Sequence, residues 1–274
     1  MKTTLIYLAC SIFFMNSCKG NLRYSGKEII AINESQAASL KSINQNDTLL
    51  VNIQGKVLDA FVNGKINKSD KGLVNLEQAL LNLNKNNNNS IIIYWYSYTC
   101  YYHSILLIIE KENKSSGKIL DEGIMKLKNV SNLNSEQLAL LALMESLSIQ
   151  YASGMEIPSI SKRVKQNAEK ALQLDSLNLR AYFVLGSNDF YAPEQYGGGK
   201  KAASYLTKAI KLNDQSVANP YLPSWGKNSA YEMLIRFYIN HKQFAEAKKC
   251  YQEAITLYPD DYMIIKLSKE LLNY

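Results

Sequence analysis

From about residue 47 to the end of the chain, apolar residues recur at intervals of three and four positions, which is the period of one face of an α-helix. Two such sets are Leu50, Ile53, Val57, Ala60 and Phe61, and Leu73, Leu76, Leu80 and Leu83. No segment shows the period of two that a half-buried β-strand requires. The pattern predicts an all-α fold, with about five helix pairs over residues 47–259 and a further helix over residues 261–272.

Residues that commonly start or stop helices support these boundaries. Asn134 and Gln137 have the spacing of a capping box, in which each side chain bonds the main-chain N–H of the other. Pro158 falls in the first turn of the next helix, where its missing N–H costs nothing. All the prolines fall at boundaries or in loops of this scheme, namely Pro158, Pro193, Pro220, Pro223 and Pro259.

The clearest helix pair lies in residues 228–261, where small and aromatic residues alternate on two facing helices. The first helix carries Tyr231, Leu234 and Tyr238, the second carries Ala247, Tyr251 and Ala254, and Pro259 follows. This arrangement resembles the tetratricopeptide repeat, which reads W-x2-L-G-x2-Y, then A-x3-F, then P over about 34 residues. Tyr231 takes the place of the Trp, Ile235 that of the Gly, and Tyr251 that of the Phe.

A second match lies one pair earlier in the chain, in Leu185-Gly186 followed by Ala202, Leu206 and Ala209. The resemblance implies a right-handed tetratricopeptide-like α-solenoid of about five helix pairs, closed by a C-terminal capping helix. In this family the first helix of each pair lines a concave groove that binds peptides. It therefore implies a protein or peptide partner, bound without catalysis and without a cofactor.

Aromatic residues on the predicted first helices are the candidate groove residues, because Tyr and Trp give large contact area and a polar tip. The candidates are Trp95, Tyr98, Tyr102, His103, Tyr182 and Tyr231. For any single ring, packing in the core between helix pairs is the expected alternative.

Residues 91–109 carry no charge and are long enough to span a bilayer as a helix. The middle of this segment is rich in tyrosine, which belongs at a membrane interface rather than at the midplane. We therefore predict a helix buried on all sides in the middle of the solenoid.

An insertion over residues 188–199 lengthens one turn between helices, and long ordered loops often carry function. Its candidate binding residues are Asp189, Tyr191, Glu194 and Tyr196. The loop resembles one found in T-components of periplasmic TRAP transporters, which implies an alternative function as an accessory solute-binding component. A rigid structural loop is a further alternative. Catalysis by Asp189 and Glu194 has the least support, because no acid–base partner is evident.

The N-terminus predicts export. Lys2 precedes an apolar stretch over residues 5–14, and Ser17-Cys18 follows it. This resembles the lipobox of lipoproteins from Bacteroidetes-type bacteria, which implies a signal peptide over residues 1–17 and acylation of Cys18. Residues 18–46 would then form a tether with a possible short helix, and residues 47–274 the solenoid. The expected location is the cell envelope, at the periplasmic face of the outer membrane. A plain secretory signal and a short membrane anchor are the alternatives.

Composition narrows the remaining functions. The formal charge is +7, from 31 Lys and Arg against 24 Asp and Glu, and the basic residues are scattered. Nucleic-acid binding requires a concentrated basic patch, so that class is not expected. Cys100 and Cys250 lie in distant repeats and are predicted to be buried free thiols rather than a disulfide. With only two histidines and no further ligand near Cys100 and His103, no metal site is predicted.

Overall fold

The computed structural model describes residues 48–87, 89–196, 198–214 and 219–272. The predicted signal peptide, the lipidated Cys18 and the tether therefore lie outside the described residues. Helices account for most of the described chain, and no strand occurs within it. The helices are α1 (Ile53–Asn67), α2 (Lys71–Asn87), α3 (Ser90–Ile109), α4 (Asn113–Lys128), α5 (Ser135–Ser148), α6 (Ile157–Leu174), α7 (Leu179–Tyr191), α8 (Ala202–Lys211), α9 (Lys227–Asn240), α10 (Phe244–Leu257) and α11 (Tyr262–Leu271).

The helices pack as five successive pairs, from α1 with α2 to α9 with α10, and α11 covers the last pair. The first helices of the pairs also pack against one another in chain order, so that they form a continuous layer. We call the side of this layer that faces away from the second helices the inner face, and the second helices form the outer layer. The predicted α-solenoid of five helix pairs and a capping helix is confirmed.

Helix α3 is the most deeply buried element of the solenoid. Its side chains are covered from Tyr94 to Leu107, and Trp95 and Ile105 are fully buried. Helices α1, α2, α4 and α5 all pack against it, which explains why it is apolar on every side. The predicted buried helix is confirmed, and none of the described helices combines the length and the hydropathy that crossing a membrane requires.

Local signals in the sequence act as predicted. The Gln137 main-chain N–H donates to Asn134 Oδ1 at 2.9 Å, and the Asn134 N–H donates to Gln137 Oε1 at 3.0 Å. In the fourth pair, a Cβ at Gly186 would lie 2.7 Å from two atoms of Leu206. The glycine of the repeat pattern is therefore the residue that lets α7 and α8 approach closely.

The two described cysteines are free and buried, as predicted. Burial raises the pKa of the Cys100 thiol well above its ordinary value. Burial, with a smaller effect from Glu253, raises the pKa of Cys250 to about 12. Both thiols therefore behave as small apolar side chains.

Candidate functional site

The aromatic residues of α3 form one continuous cluster on the inner face. The rings of Tyr94 and Trp95 have centroids 5.0 Å apart, and Trp95 and Tyr98 are 5.4 Å apart, both edge to face. Tyr102 continues the row 5.0 Å from Tyr98 and reaches Phe61 of α1 at 5.3 Å. Edge-to-face pairs of this kind add stability beyond the area they bury.

Residues 219–226, which precede α9, lie against this cluster, and we call them the strap. They begin with a turn at Asn219 and continue to α9 without regular secondary structure. The ring of Trp225 stacks on Tyr98 at 6.4 Å and meets Phe183 of α7 edge to face at 6.4 Å. The Trp225 indole N–H donates to the Tyr94 hydroxyl at 2.6 Å. A single side chain of the strap thereby joins the second and fourth helix pairs.

The inner face also binds the main chain of the strap. The indole N–H of Trp95 donates to the carbonyl oxygen of Tyr221 at 2.9 Å. The main-chain N–H of Ser224 donates to Oε1 of Gln54, on α1, at 2.8 Å. The side chains of the inner face therefore provide both a donor and an acceptor to the main chain of the strap.

Arg180 of α7 fixes the C-terminal end of the strap. Its Nε and Nη2 donate to the two carboxylate oxygens of Glu136 at 2.5 and 2.6 Å, and both side chains are buried. Its Nη1 lies 3.4 Å from the Trp225 carbonyl oxygen, and its guanidinium carbon lies 5.9 Å from the centre of the Trp225 ring. The adjacent Gly226 has φ of 103°, a conformation that favours glycine.

Three predicted groove residues are thus already covered by other parts of the same chain. Trp95 contacts the strap through its N–H, Tyr98 through its ring, and Tyr102 packs on Phe61. All three are buried, with exposed fractions of 3% or less. Their predicted role in binding a partner stays a prediction, and it requires the strap to leave.

His103 lies away from the strap, between two carboxylates. Its Nδ1 is 2.8 Å from Glu77 Oε1 and its Nε2 is 3.2 Å from Asp70 Oδ2. Burial by itself lowers the pKa of His103, but the hydrogen bonds and negative charges of Glu77 and Asp70 outweigh burial and raise it. The cluster ties α3 to the second helix of the preceding pair.

Tyr182 and Tyr231 face their partner helices rather than the strap. Tyr182 is half-buried, 6.5 Å from the ring of Tyr205, with Lys208 Nζ 5.6 Å from its ring centre. Tyr231 is buried, 6.2 Å from the ring of Tyr258, and burial raises its pKa to about 12. The structure therefore brings only part of the predicted set together.

The insertion is organised around Asp189. Its Oδ2 accepts the main-chain N–H groups of Lys201 and Ala202, each at 2.8 Å, at the start of α8. Its carbonyl oxygen accepts the Gly199 N–H at 2.8 Å, and Gly199 has φ of 77°. These contacts give the insertion a structural role in starting α8.

The other candidates of the insertion lie around this turn. Tyr191 is half-buried, with its ring 4.9 Å from Phe190, Glu194 is exposed, and Tyr196 ends the 3-10 turn Glu194–Tyr196. A solute-binding role for these residues stays a prediction. Within the described residues, no three His, Cys, Asp or Glu side chains are grouped as a metal site would require.

Sequence reasoning missed the strap and the residues that hold it, above all Trp225, Gln54 and the Arg180–Glu136 pair. A signal was present, because two prolines and a tryptophan occur within a connection longer than most helix–helix turns. The helical period does not extend into this connection, so it gives no indication of where the segment packs.

Neither a protein-family model nor a curated protein matches this chain. A solved structure, that of YrrB, described as a TPR protein with an unusual peptide-binding site, aligns over 72% of this chain and 91% of its own. The identity is 13% and the TM-score is 0.35. A likeness this remote does not transfer a binding site to the present chain.

Proposed function

We propose that this chain is a non-catalytic scaffold that binds a protein or peptide partner through its inner face, at the bacterial cell envelope. One observation carries the proposal: the inner face already holds a segment outside the helices by a ring stack and two hydrogen bonds to its main chain. A surface with this chemistry suits peptide recognition, because main-chain contacts give affinity and an aromatic anchor gives specificity.

The repeat architecture supports the same proposal. Stacked helix pairs present a long surface made by side chains from many repeats, and such surfaces bind extended partners. The residues of the strap site come from α1, α3 and α7, three first helices that are separate in sequence but share the inner face. A partner bound there would contact several repeats at once.

Attachment through lipid on Cys18 is part of the proposal and rests on the lipobox-like Ser17-Cys18 after an apolar stretch. Acylation of the thiol and the amine would give the two anchors that stable membrane attachment needs. A tether of some thirty residues, 18–46, would then separate the solenoid from the membrane surface.

The test is site-specific photocrosslinking in the native host. A photoreactive residue is placed at Gln54, on the inner face, or at the exposed Lys165 of α6, in the outer layer, as a matched control. We expect a defined crosslinked protein from position 54 and much less from position 165. Equal crosslinking from both positions, or none from position 54, contradicts a partner on the inner face.

The anchor is measured separately in the same strains. Growth with a clickable fatty acid should label the wild-type chain, and the Cys18→Ala variant should carry no label. Unchanged labelling of the variant contradicts the lipid anchor and leaves the binding proposal intact.

A further inference from the structure

We infer that the strap is an intramolecular occupant of the partner site, and that the site takes a peptide with a proline two residues before a buried tryptophan. The inference rests on the proposed function of the inner face. In the strap this spacing is Pro223 to Trp225, and both residues are buried.

The strap is bound as a ligand is bound. One main-chain hydrogen bond within the strap forms a turn at Asn219, where the Leu222 N–H donates to the Asn219 carbonyl oxygen at 3.2 Å. The other main-chain bonds of the strap described above go to side chains of the inner face, namely Trp95, Gln54 and Arg180. One edge of the strap faces solvent, since Pro220 is exposed and Ser224 is half-buried.

The contacts define the chemistry of a competing peptide. Position 225 needs an indole, because the pocket stacks a flat ring on Tyr98 and accepts an N–H at the Tyr94 hydroxyl. Position 223 suits proline, because the main-chain donor that the inner face accepts belongs to Ser224. Position 221 offers its carbonyl oxygen to Trp95.

Covalent attachment gives the strap an advantage over a free peptide. A tethered segment competes at an effective concentration that reaches the millimolar range for short linkers. The end of α8 and the start of α9 lie close together, because Lys227 Nζ donates to the Leu212 carbonyl oxygen at 2.8 Å. The strap is therefore held over its site, and a partner must outcompete it or act when it is released.

The experiment measures binding of a fluorescent peptide with the sequence of residues 219–226 to the wild-type chain and to variants altered only in the strap. Trp225→Ala removes the anchor, and Trp225→Phe keeps an aromatic ring but loses the N–H donor. Leu267→Ala, in the core of α11, is the control for general destabilisation, since Leu267 is fully buried and lies outside the strap site.

We expect the peptide to bind the two Trp225 variants about tenfold or more tightly than the wild type, because the tethered competitor is weakened. It should also raise their melting temperatures, and a peptide with alanine in place of the tryptophan should do neither. The Leu267→Ala variant should bind like the wild type. Circular dichroism verifies folding, and if Trp225→Ala does not fold, Trp225→Phe decides.

Equal peptide affinity for the wild type and for the folded Trp225 variants overturns the inference, as does the absence of binding to all of them. The outcome is separable from that of the proposed function. If the peptide exchanges with the strap but no partner is crosslinked at position 54, the strap inference stands and the scaffold proposal is contradicted. If a partner is crosslinked at position 54 equally in the wild type and in Trp225→Phe, the scaffold proposal stands and the strap inference is contradicted.

Discussion

His103 shows how one side chain couples this fold to pH. The groups that face it are the carboxylates of Glu77 and Asp70, with the Cys100 thiol nearby. Because its pKa is raised in the folded state, His103 contributes stability that is fully present below the unfolded pKa of 6.5 and is lost as the pH rises through the folded pKa. The imidazolium form is the one that holds α2 and α3 together.

We therefore expect the free energy of unfolding to fall as the pH rises above 6.5, and His103→Gln to flatten this dependence. Glu232 must be removed from the comparison, because burial, partly opposed by Arg236, raises its pKa to about 7. The stability that Glu232 contributes is therefore lost as the pH rises from 4.5 to 7, and this range overlaps the pH at which the contribution of His103 begins to fall. Urea unfolding in a Glu232→Gln background isolates His103, and identical slopes with and without His103 would refute the assignment.

Single residues differ in how well their structural role can be predicted from the sequence. The repeat pattern predicts a glycine at position 186, and the short distance from Gly186 to Leu206 gives the physical reason. The repeat pattern does not place Trp225, because its contacts come from other helix pairs: Tyr94 and Tyr98 are more than 120 positions away, and Phe183 is about 40 positions away. A local pattern contains no information about a partner at that distance.

Among the elements, α8 depends on a residue outside itself. Its N-terminus has no capping bond from its own N-cap residue, Lys201, and Asp189 of α7 accepts the first two N–H groups instead. A carboxylate at this position also interacts favourably with the positive end of the helix dipole. The insertion therefore links the end of one helix to the start of the next.

Asp189→Ala is expected to lower the free energy of unfolding by about 1 kcal/mol, the usual effect of losing a side-chain cap. Chemical denaturation followed by circular dichroism measures the change. Glu194→Ala is the matched control: the side chain is exposed on the same insertion, and its loss is expected to change stability by less than about 0.5 kcal/mol. An Asp189→Ala variant with an unchanged free energy of unfolding would show that the cap contributes nothing to stability.

Helix positions followed from the sequence because each helix buries its own periodic face against its neighbours. Of the two apolar sets named above, Ile53, Val57, Leu73 and Leu80 are buried as the 3.6-residue period predicts, and Leu76 and Leu83 are half-buried. The orientation of single rings did not follow, since Tyr182 and Tyr231 lie on first helices yet face their partner helices. A helical period fixes which residues share a face, but not which neighbour covers that face.

For the whole molecule, the strap adds long-range contacts to a fold that is otherwise built from neighbours. In a simple solenoid each repeat contacts only the adjacent repeats, and unfolding can begin at one end. Here residues 219–226 contact α1, α3 and α7, the first helices of three different pairs. Release of the strap therefore removes contacts from all three pairs at once. The solenoid is therefore closed across its inner face.

We expect the wild-type chain to unfold in one transition, with far-UV circular dichroism and tryptophan fluorescence coinciding. Trp225→Ala should lower stability by about 3–5 kcal/mol and separate the two signals, because the pairs would then unfold more independently. The remaining Trp95 reports on the strap site. Leu267→Ala should lower the free energy of unfolding by about 2–5 kcal/mol, and its two signals should still coincide. Coincident signals in Trp225→Ala would contradict the closing role of the strap.

The strap also sets a constraint on the order of synthesis. Ser224 bonds Gln54 across 170 positions, and Tyr221 bonds Trp95 across 126. At about 5–20 residues per second, roughly 6–25 s separate the emergence of the α3 aromatic cluster from that of the segment that covers it. A chain that folded as it is synthesised would therefore carry an uncovered aromatic surface until residue 226 has been added.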